Sequence, residues 1–242
     1  MLKKLNRYFS RVEKVIWCVS FVLIVGAFVV FDRSGVVTML TSLVGVTAIL
    51  FNAKGNPIGQ VLMVVFAIVY SVISFSFRYY GEMITYAGMT LPMAVLALVS
   101  WLKNPYKGNK SEVTVNRLSL KEIPIMVLLT AAVTVAFYFI LKYFHTANLI
   151  PSTVSVTTSF VAAYLTFRRS PYFSLAYAAN DVVLIVLWVL AAKTDKSYIC
   201  VVICFAAFLI NDIYCFINWL KMRKKQSFPA RQSMKEKSDA SS

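Results

Sequence analysis

The sequence predicts an all-α integral membrane protein of eight transmembrane helices, one N-terminal helix followed by a three-plus-one-plus-three core. Three observations carry that reading. Long apolar runs are nearly free of charge, Lys and Arg fall on one side of the membrane, and a Trp-Leu-Lys signature closes two separate runs. Of 242 residues, 59% are hydrophobic and 14% are charged. An average soluble domain is closer to half apolar and one quarter charged. Little polar sequence remains for a second, soluble domain.

The runs are Val15–Phe31, Val36–Phe51, Ile58–Phe77, Met83–Leu102, Ile123–Phe144, Ser152–Phe167, Tyr172–Ala192 and Tyr198–Leu220. Most approach the ~20 residues that span a bilayer at 1.5 Å per residue. A helix satisfies its own backbone in lipid, and an isolated strand does not. The second and sixth runs are the shortest. Pro57, Pro124, Pro151 and Pro171 stand near helix starts, where a missing N–H costs little. Pro92 sits inside the fourth run, beside Thr90, and predicts a kink there. The basic N-terminus resembles a signal peptide, but its apolar run ends in Phe31-Asp32-Arg33 rather than a small-residue cleavage site, so it reads as a retained helix.

Orientation follows from the basic residues. Lys3, Lys4, Arg7, Arg11 and Lys14 precede the first run, and Lys54 lies between the second and third. Lys103, Lys107, Lys110, Arg117 and Lys121 lie between the fourth and fifth, Arg168 and Arg169 between the sixth and seventh, and the tail is Lys/Arg-rich. The other side holds only Arg33, Arg78, Lys142, Lys193 and Lys196. By the positive-inside rule both termini are expected in the cytoplasm. That distribution also accounts for the net charge of +15 without nucleic acid, for which no aromatic-interleaved basic groove appears. The tail from Gln226 to Ser242 is polar and Ser-rich and is expected to be disordered.

Trp101-Leu102-Lys103 ends the fourth run and Trp219-Leu220-Lys221 ends the eighth. Asn56-Pro57 precedes the third run and Ser170-Pro171 the seventh. Runs two to four and six to eight therefore read as two copies of one unit. A single joining helix sets them the same way up, as parallel repeats around an axis along the membrane normal. The expected divisions are 1–35 (basic N-terminus and added helix), 36–104 (first repeat), 105–150 (cytoplasmic loop and linker helix), 151–222 (second repeat) and 223–242 (tail).

Chemistry resides in polar residues inside apolar helices; an ionisable one costs ~2.5–3.5 kcal/mol on insertion scales and so marks a functional position. Asn180-Asp181 and Asn211-Asp212 are each followed, after six residues, by a tryptophan, Trp188 and Trp219. Helical spacing places Ser174, Tyr177, Asp181 and Trp188 near one stripe, and Asn211, Tyr214 and Asn218, with Cys215, on another. Facing each other, these stripes predict a cavity of amides, phenols, a carboxylate and an indole. Such a cavity suits an aromatic, hydroxylated and cationic ligand. Gln60, with Tyr70, Ser71 and Ser74, is expected to contribute from the other repeat. The competing reading is helix-to-helix hydrogen bonding by the same side chains. Cys18, Cys200, Cys204 and Cys215 lie in apolar runs without further ligands and read as small buried residues. His145 is the only histidine. No nucleotide, metal or hydrolase motif appears, so no cofactor is expected and a lipid-modifying enzyme is the weaker reading.

The basic N-terminus, the three-plus-one-plus-three order, Asn180-Asp181 in the penultimate helix and Phe216-Ile217-Asn218-Trp219-Leu220-Lys221 closing the last resemble the PnuC family of bacterial vitamin B3 transporters over roughly residues 36 to 222. The resemblance implies a SWEET-like fold, a homotrimer in the inner membrane, and uptake of nicotinamide riboside by facilitated diffusion, with a cytoplasmic kinase trapping the substrate. The first helix is additional to the seven-helix core so implied. The residues alone also suit thiamine or a sugar.

Overall fold

A computed structural model describes residues 8–76, 80–146 and 148–239, with side chains to residue 227. Among the described residues, eight helices are long and apolar enough to cross a membrane. They are α1 (Arg11–Phe31), α2 (Val36–Ala53), α3 (Ile58–Ser76), α4 (Tyr80–Lys103), α5 (Glu122–Tyr143), α6 (Leu149–Phe167), α7 (Phe173–Ala192) and α8 (Ile199–Asp239). Phe77 and Arg78 lie outside the described residues.

Several boundaries differ from expectation for local reasons. α1 begins at Arg11, ahead of its apolar run, because Ser10 and Glu13 form a reciprocal capping box that satisfies two first-turn N–H groups. The short second run extends to Ala53 and the sixth begins at Leu149, giving helices of 18 and 19 residues. α8 continues to Asp239 where a disordered tail was expected. A helix already nucleated propagates cheaply, and the Lys, Arg, Gln and Met residues after Lys221 are good helix formers. Pro92 produces a π-helical segment, Tyr86–Thr90, rather than a simple bend. Its missing N–H and its ring cannot coexist with a regular turn on Gly88, and the wider turn relieves the clash.

The charged ends of the helices are tied together. Between α4 and α5 a hairpin forms from β1 (Pro105–Tyr106) and β2 (Asn109–Val113). The Val113 N–H donates to the Gly55 carbonyl and the Asn116 N–H to the Arg169 carbonyl, so the linker grips the turn after α2 and the turn after α6. Gln226 of α8 accepts from the Val115 N–H at 2.8 Å and donates to the Val113 carbonyl. Arg168 pairs with Glu122 at 2.6 Å, joining that turn to α5.

Contacts between the two triplets at this basic end are reciprocal. Trp101, closing α4, donates its indole N–H to the Thr166 carbonyl of α6 at 2.9 Å. Trp219, closing the apolar part of α8, donates to the Asn52 carbonyl of α2 at 2.7 Å. One turn position away, Ser100 donates to the Phe167 carbonyl and Asn218 to the Ala53 carbonyl. The bonds from Ser100 and Asn218 satisfy carbonyls that the helix ends leave open, while the Thr166 and Asn52 carbonyls also accept from the Arg169 and Gly55 N–H groups. The indoles meet 5.4 Å apart, and Phe173 stands edge-on to Trp219 at 4.8 Å. Both tryptophans are fully buried.

The added helix α1 packs on α2 and α8. Ile24, Ala27 and Phe28 form a core cluster with Val46, Cys200, Cys204 and Phe208, and Trp17 donates to the Thr47 hydroxyl at 3.1 Å. Glu13 is 2% exposed yet well satisfied. Its carboxylate accepts from the Ser10 N–H, the Lys54 ammonium and the Tyr214 hydroxyl. Lys54 also lies over the Tyr8 ring at 4.7 Å. Burial pushes the Tyr8 phenol up, against the opposing hydrogen bond with Asn56.

Candidate substrate cavity

A cavity of about 170 Å³, room for on the order of ten waters, runs between the triplets. At the basic end it is bounded by Asn52, Thr166 and Phe173, directly against the tryptophan pair. At the opposite end it reaches Glu82, Thr146 and Ser152. The helices that shape it sit close because small residues permit it. At Gly59 an added Cβ would collide with the Asn52 side chain and backbone, so α2 and α3 approach there only with glycine.

Six of the residues singled out from sequence line this cavity: Gln60, Tyr70, Tyr177, Asn180, Asp181 and Trp188. Gln60 donates to the Asn52 side chain at 2.9 Å, which holds both amides against the wall. Asn180 accepts from Thr158 at 2.7 Å and from Ser155 at 3.2 Å. The α6 hydroxyls thus fix its carbonyl oxygen and leave its two amide protons as donors. Tyr177 stands one helical turn before Asp181 on α7, on the same wall. Trp188 tilts against Tyr198 at 5.2 Å, nearer the far end.

Asn211, Tyr214, Asn218 and Ser174 do not line it, and here the structure corrects the chosen face of α8. Asn211 donates to Ser20 of α1 at 2.8 Å and to its own helix at Ala207. Tyr214 reaches Glu13, and Asn218 closes the reciprocal carbonyl contact on α2. Ser174 is fully buried. For Asn211 and Tyr214 the physical reason is α1, whose Ser20 and Glu13 supply polar partners on the side away from the cavity. The neighbouring Asp212, about 100° around the helix, takes the inward position instead. Its carboxyl shares the cavity wall with that of Asp181. One oxygen of Asp181 is buried with no partner. Tyr70 lines the cavity, while Ser71 and Ser74 are not among the lining residues. Among the cysteines, Cys18 is exposed on the outside of the bundle and the other three are buried.

Sequence reasoning missed Glu82 and Tyr86, which also line the cavity. The signal was present: an acidic residue within a spanning helix is as conspicuous as Asp181. Starting the fourth run at Met83 left Glu82 one residue outside it. Altogether Glu82, Asp181 and Asp212 put three carboxyl groups on the wall, and no Lys, Arg or His lines it among the described residues. Aromatic rings from Phe66, Tyr70, Tyr86, Phe173, Tyr177 and Trp188 fill much of the remainder. Among the described residues no group of His, Cys, Asp and Glu is arranged to hold a metal ion.

Fold and cavity define a multi-pass α-helical membrane protein with a polar, acidic, ring-lined chamber between two helix triplets. The family model described as nicotinamide mononucleotide transporter matches residues 35–221, and the chain belongs to that family. Curated relatives include the nicotinamide riboside transporters PnuC of Neisseria mucosa and Haemophilus influenzae. Both are 22% identical, over 88% of this chain and 83% and 91% of their own lengths. The crystal structure of the vitamin B3 transporter PnuC is similar, with a TM-score of 0.76 at 21% identity, covering 90% of this chain and 94% of that one. The family match begins just after α1, which lies outside it.

Proposed function

We propose that this chain carries nicotinamide riboside across the bacterial inner membrane by facilitated diffusion, as a homotrimer with both termini in the cytoplasm, where phosphorylation traps the substrate. The observation that carries the reading is the charge of the cavity wall: three carboxyls and no base among the described lining residues. Nicotinamide riboside has a cationic pyridinium ring, a carboxamide and uncharged ribose hydroxyls. A carboxylate favours the ring, aromatic faces stack on it, and Asn180, Gln60 and Tyr177 offer partners for amide and hydroxyls. The mononucleotide adds a phosphate, which in a low-dielectric, acidic chamber meets repulsion with no Arg or Lys to offset it. Between the two substrates that the relatives' descriptions name, the wall therefore favours the riboside. No nucleotide-binding motif accompanies the chain to drive pumping, which agrees with diffusion followed by trapping.

The test is uptake of radiolabelled nicotinamide riboside into proteoliposomes containing the purified chain, with the mononucleotide, thiamine and glucose as competitors. Uptake is expected to equilibrate without an ion gradient and to resist all three competitors. Asp181→Asn is expected to weaken riboside binding by about 1–2 kcal/mol, the scale of a lost charge-assisted contact. Stronger competition by the mononucleotide than by unlabelled riboside would sink the proposal.

A further inference from the structure

The cavity holds its acidic groups at two depths. By the rise of 1.5 Å per residue, Asp181 and Asp212 stand about 10–12 Å from the tryptophan layer, counted from Phe173 and Trp219. Glu82, counted from Trp101 along α4, stands about 28 Å from it. The two acidic positions are thus roughly 17 Å apart along the membrane normal, and a nucleoside-sized ligand occupies one at a time. Around Glu82 the wall is aromatic. Tyr70 and Tyr86 sit 4.5 Å apart, and Phe66 stacks on Tyr70 at 5.4 Å. All three rings and Glu82 line the cavity, and Glu82 stands four residues before Tyr86 on α4, about one helical turn away. Tyr86 begins the π-helical segment, a distortion common at functional positions. At the deeper position one oxygen of Asp181 is buried without a hydrogen-bond partner.

We propose that Glu82 with the Tyr70–Tyr86 ring pair is a capture station for the cationic ring at the mouth of the cavity, separate from the Asp181–Asp212 station below. This deepens the reading of nicotinamide riboside as substrate and rests on it. A carboxylate beside two ring faces is the chemistry that holds an aromatic cation. Placed at the mouth, it raises the local concentration of cation and so the rate of entry. The deeper carboxyls then receive a ligand already stripped of part of its water. The station selects for charge, and the uncharged 1,4-dihydropyridine form of the same riboside gains nothing from it.

The experiment compares initial uptake of the cationic riboside and of its dihydro form by proteoliposomes containing the full chain, for wild type, Glu82→Gln and Glu82→Asp. Glu82→Gln is expected to lower the entry rate of the cation about tenfold at low, subsaturating concentration. It leaves the dihydro form within twofold and loses most of the difference in high salt, where an accessible charge is screened. Glu82→Asp keeps the charge and tracks wild type. The proposal is overturned if Glu82→Gln carries the cation as wild type does, if both forms fall alike, or if Glu82→Asp behaves as Glu82→Gln. Wild type that carries neither form refutes instead the assignment of substrate, and with it the station. Thermal unfolding of each variant in detergent separates loss of fold from loss of capture, and Tyr86→Phe, which keeps the ring face, is expected to retain at least half of the wild-type rate.

Discussion

The first triplet, α2 to α4, and the second, α6 to α8, make matching contacts to each other's helix-end carbonyls. Where Trp101 reaches the Thr166 carbonyl, Trp219 reaches that of Asn52. Beside them Ser100 does for one triplet what Asn218 does for the other. The turn after α2 uses Gly55 at φ +65, and the turn after α6 places Arg169 at φ +55. Facing the cavity, the likeness ends. One triplet supplies Gln60, Tyr70, Glu82 and Tyr86, and the other Tyr177, Asn180, Asp181, Trp188 and Asp212. The difference teaches that the shared contacts belong to the scaffold and the divergent ones to the ligand. A ligand without a two-fold axis puts no demand on the two walls to stay alike, and in this cavity they differ.

The sharpest way to break this comparison is to mutate the two asparagines that stand in matching Asn-Asp pairs. Asn180→Ala is expected to weaken nicotinamide riboside binding by about 1–3 kcal/mol, the loss of a fixed amide partner. Asn211→Ala is expected to leave binding unchanged and to lower stability by about 1–2 kcal/mol, because Ser20 loses its interhelical bond. Calorimetric titration beside thermal unfolding measures both. Loss of binding in Asn211→Ala at unchanged stability would put α8 back in the ligand site.

A smaller effect tests the scaffold itself. Trp101→Phe and Trp219→Phe each remove one indole N–H and with it one bond to a helix-end carbonyl. Each is expected to destabilise by about 1 kcal/mol, and the two losses should agree within about 0.5 kcal/mol if the contacts are equivalent. Unequal losses in denaturant unfolding would show that the reciprocity is geometric only.

The smallest effect concerns the turns. Gly55→Ala is expected to cost about 1 kcal/mol, since a side chain is strained at that φ and would press on Met222 and Val113. Arg169→Gly relieves strain of similar size but gives up the bond from Arg169 to the Ser100 hydroxyl at 2.9 Å, so its net change should stay near zero. Equal destabilisation by both substitutions would mean that the arginine turn carries no strain.

Periodicity and composition alone determined that eight helices cross a membrane, because apolar length is a property of the segment and lipid permits only helices there. The matched Trp-Leu-Lys endings also pointed correctly to Trp101 and Trp219 as counterparts. Gln60, Tyr177, Asn180, Asp181 and Trp188 were legible as cavity residues, since a polar group inside an apolar helix must face something polar. Which polar thing it faces is not written locally. Asn211, Tyr214 and Asn218 satisfy the same rule by meeting α1 and the end of α2. Asp212 and Glu82 meet the cavity instead. A helix offers the same stripe to any neighbour, and only the packing of α1 against α8 decided which face turned inward.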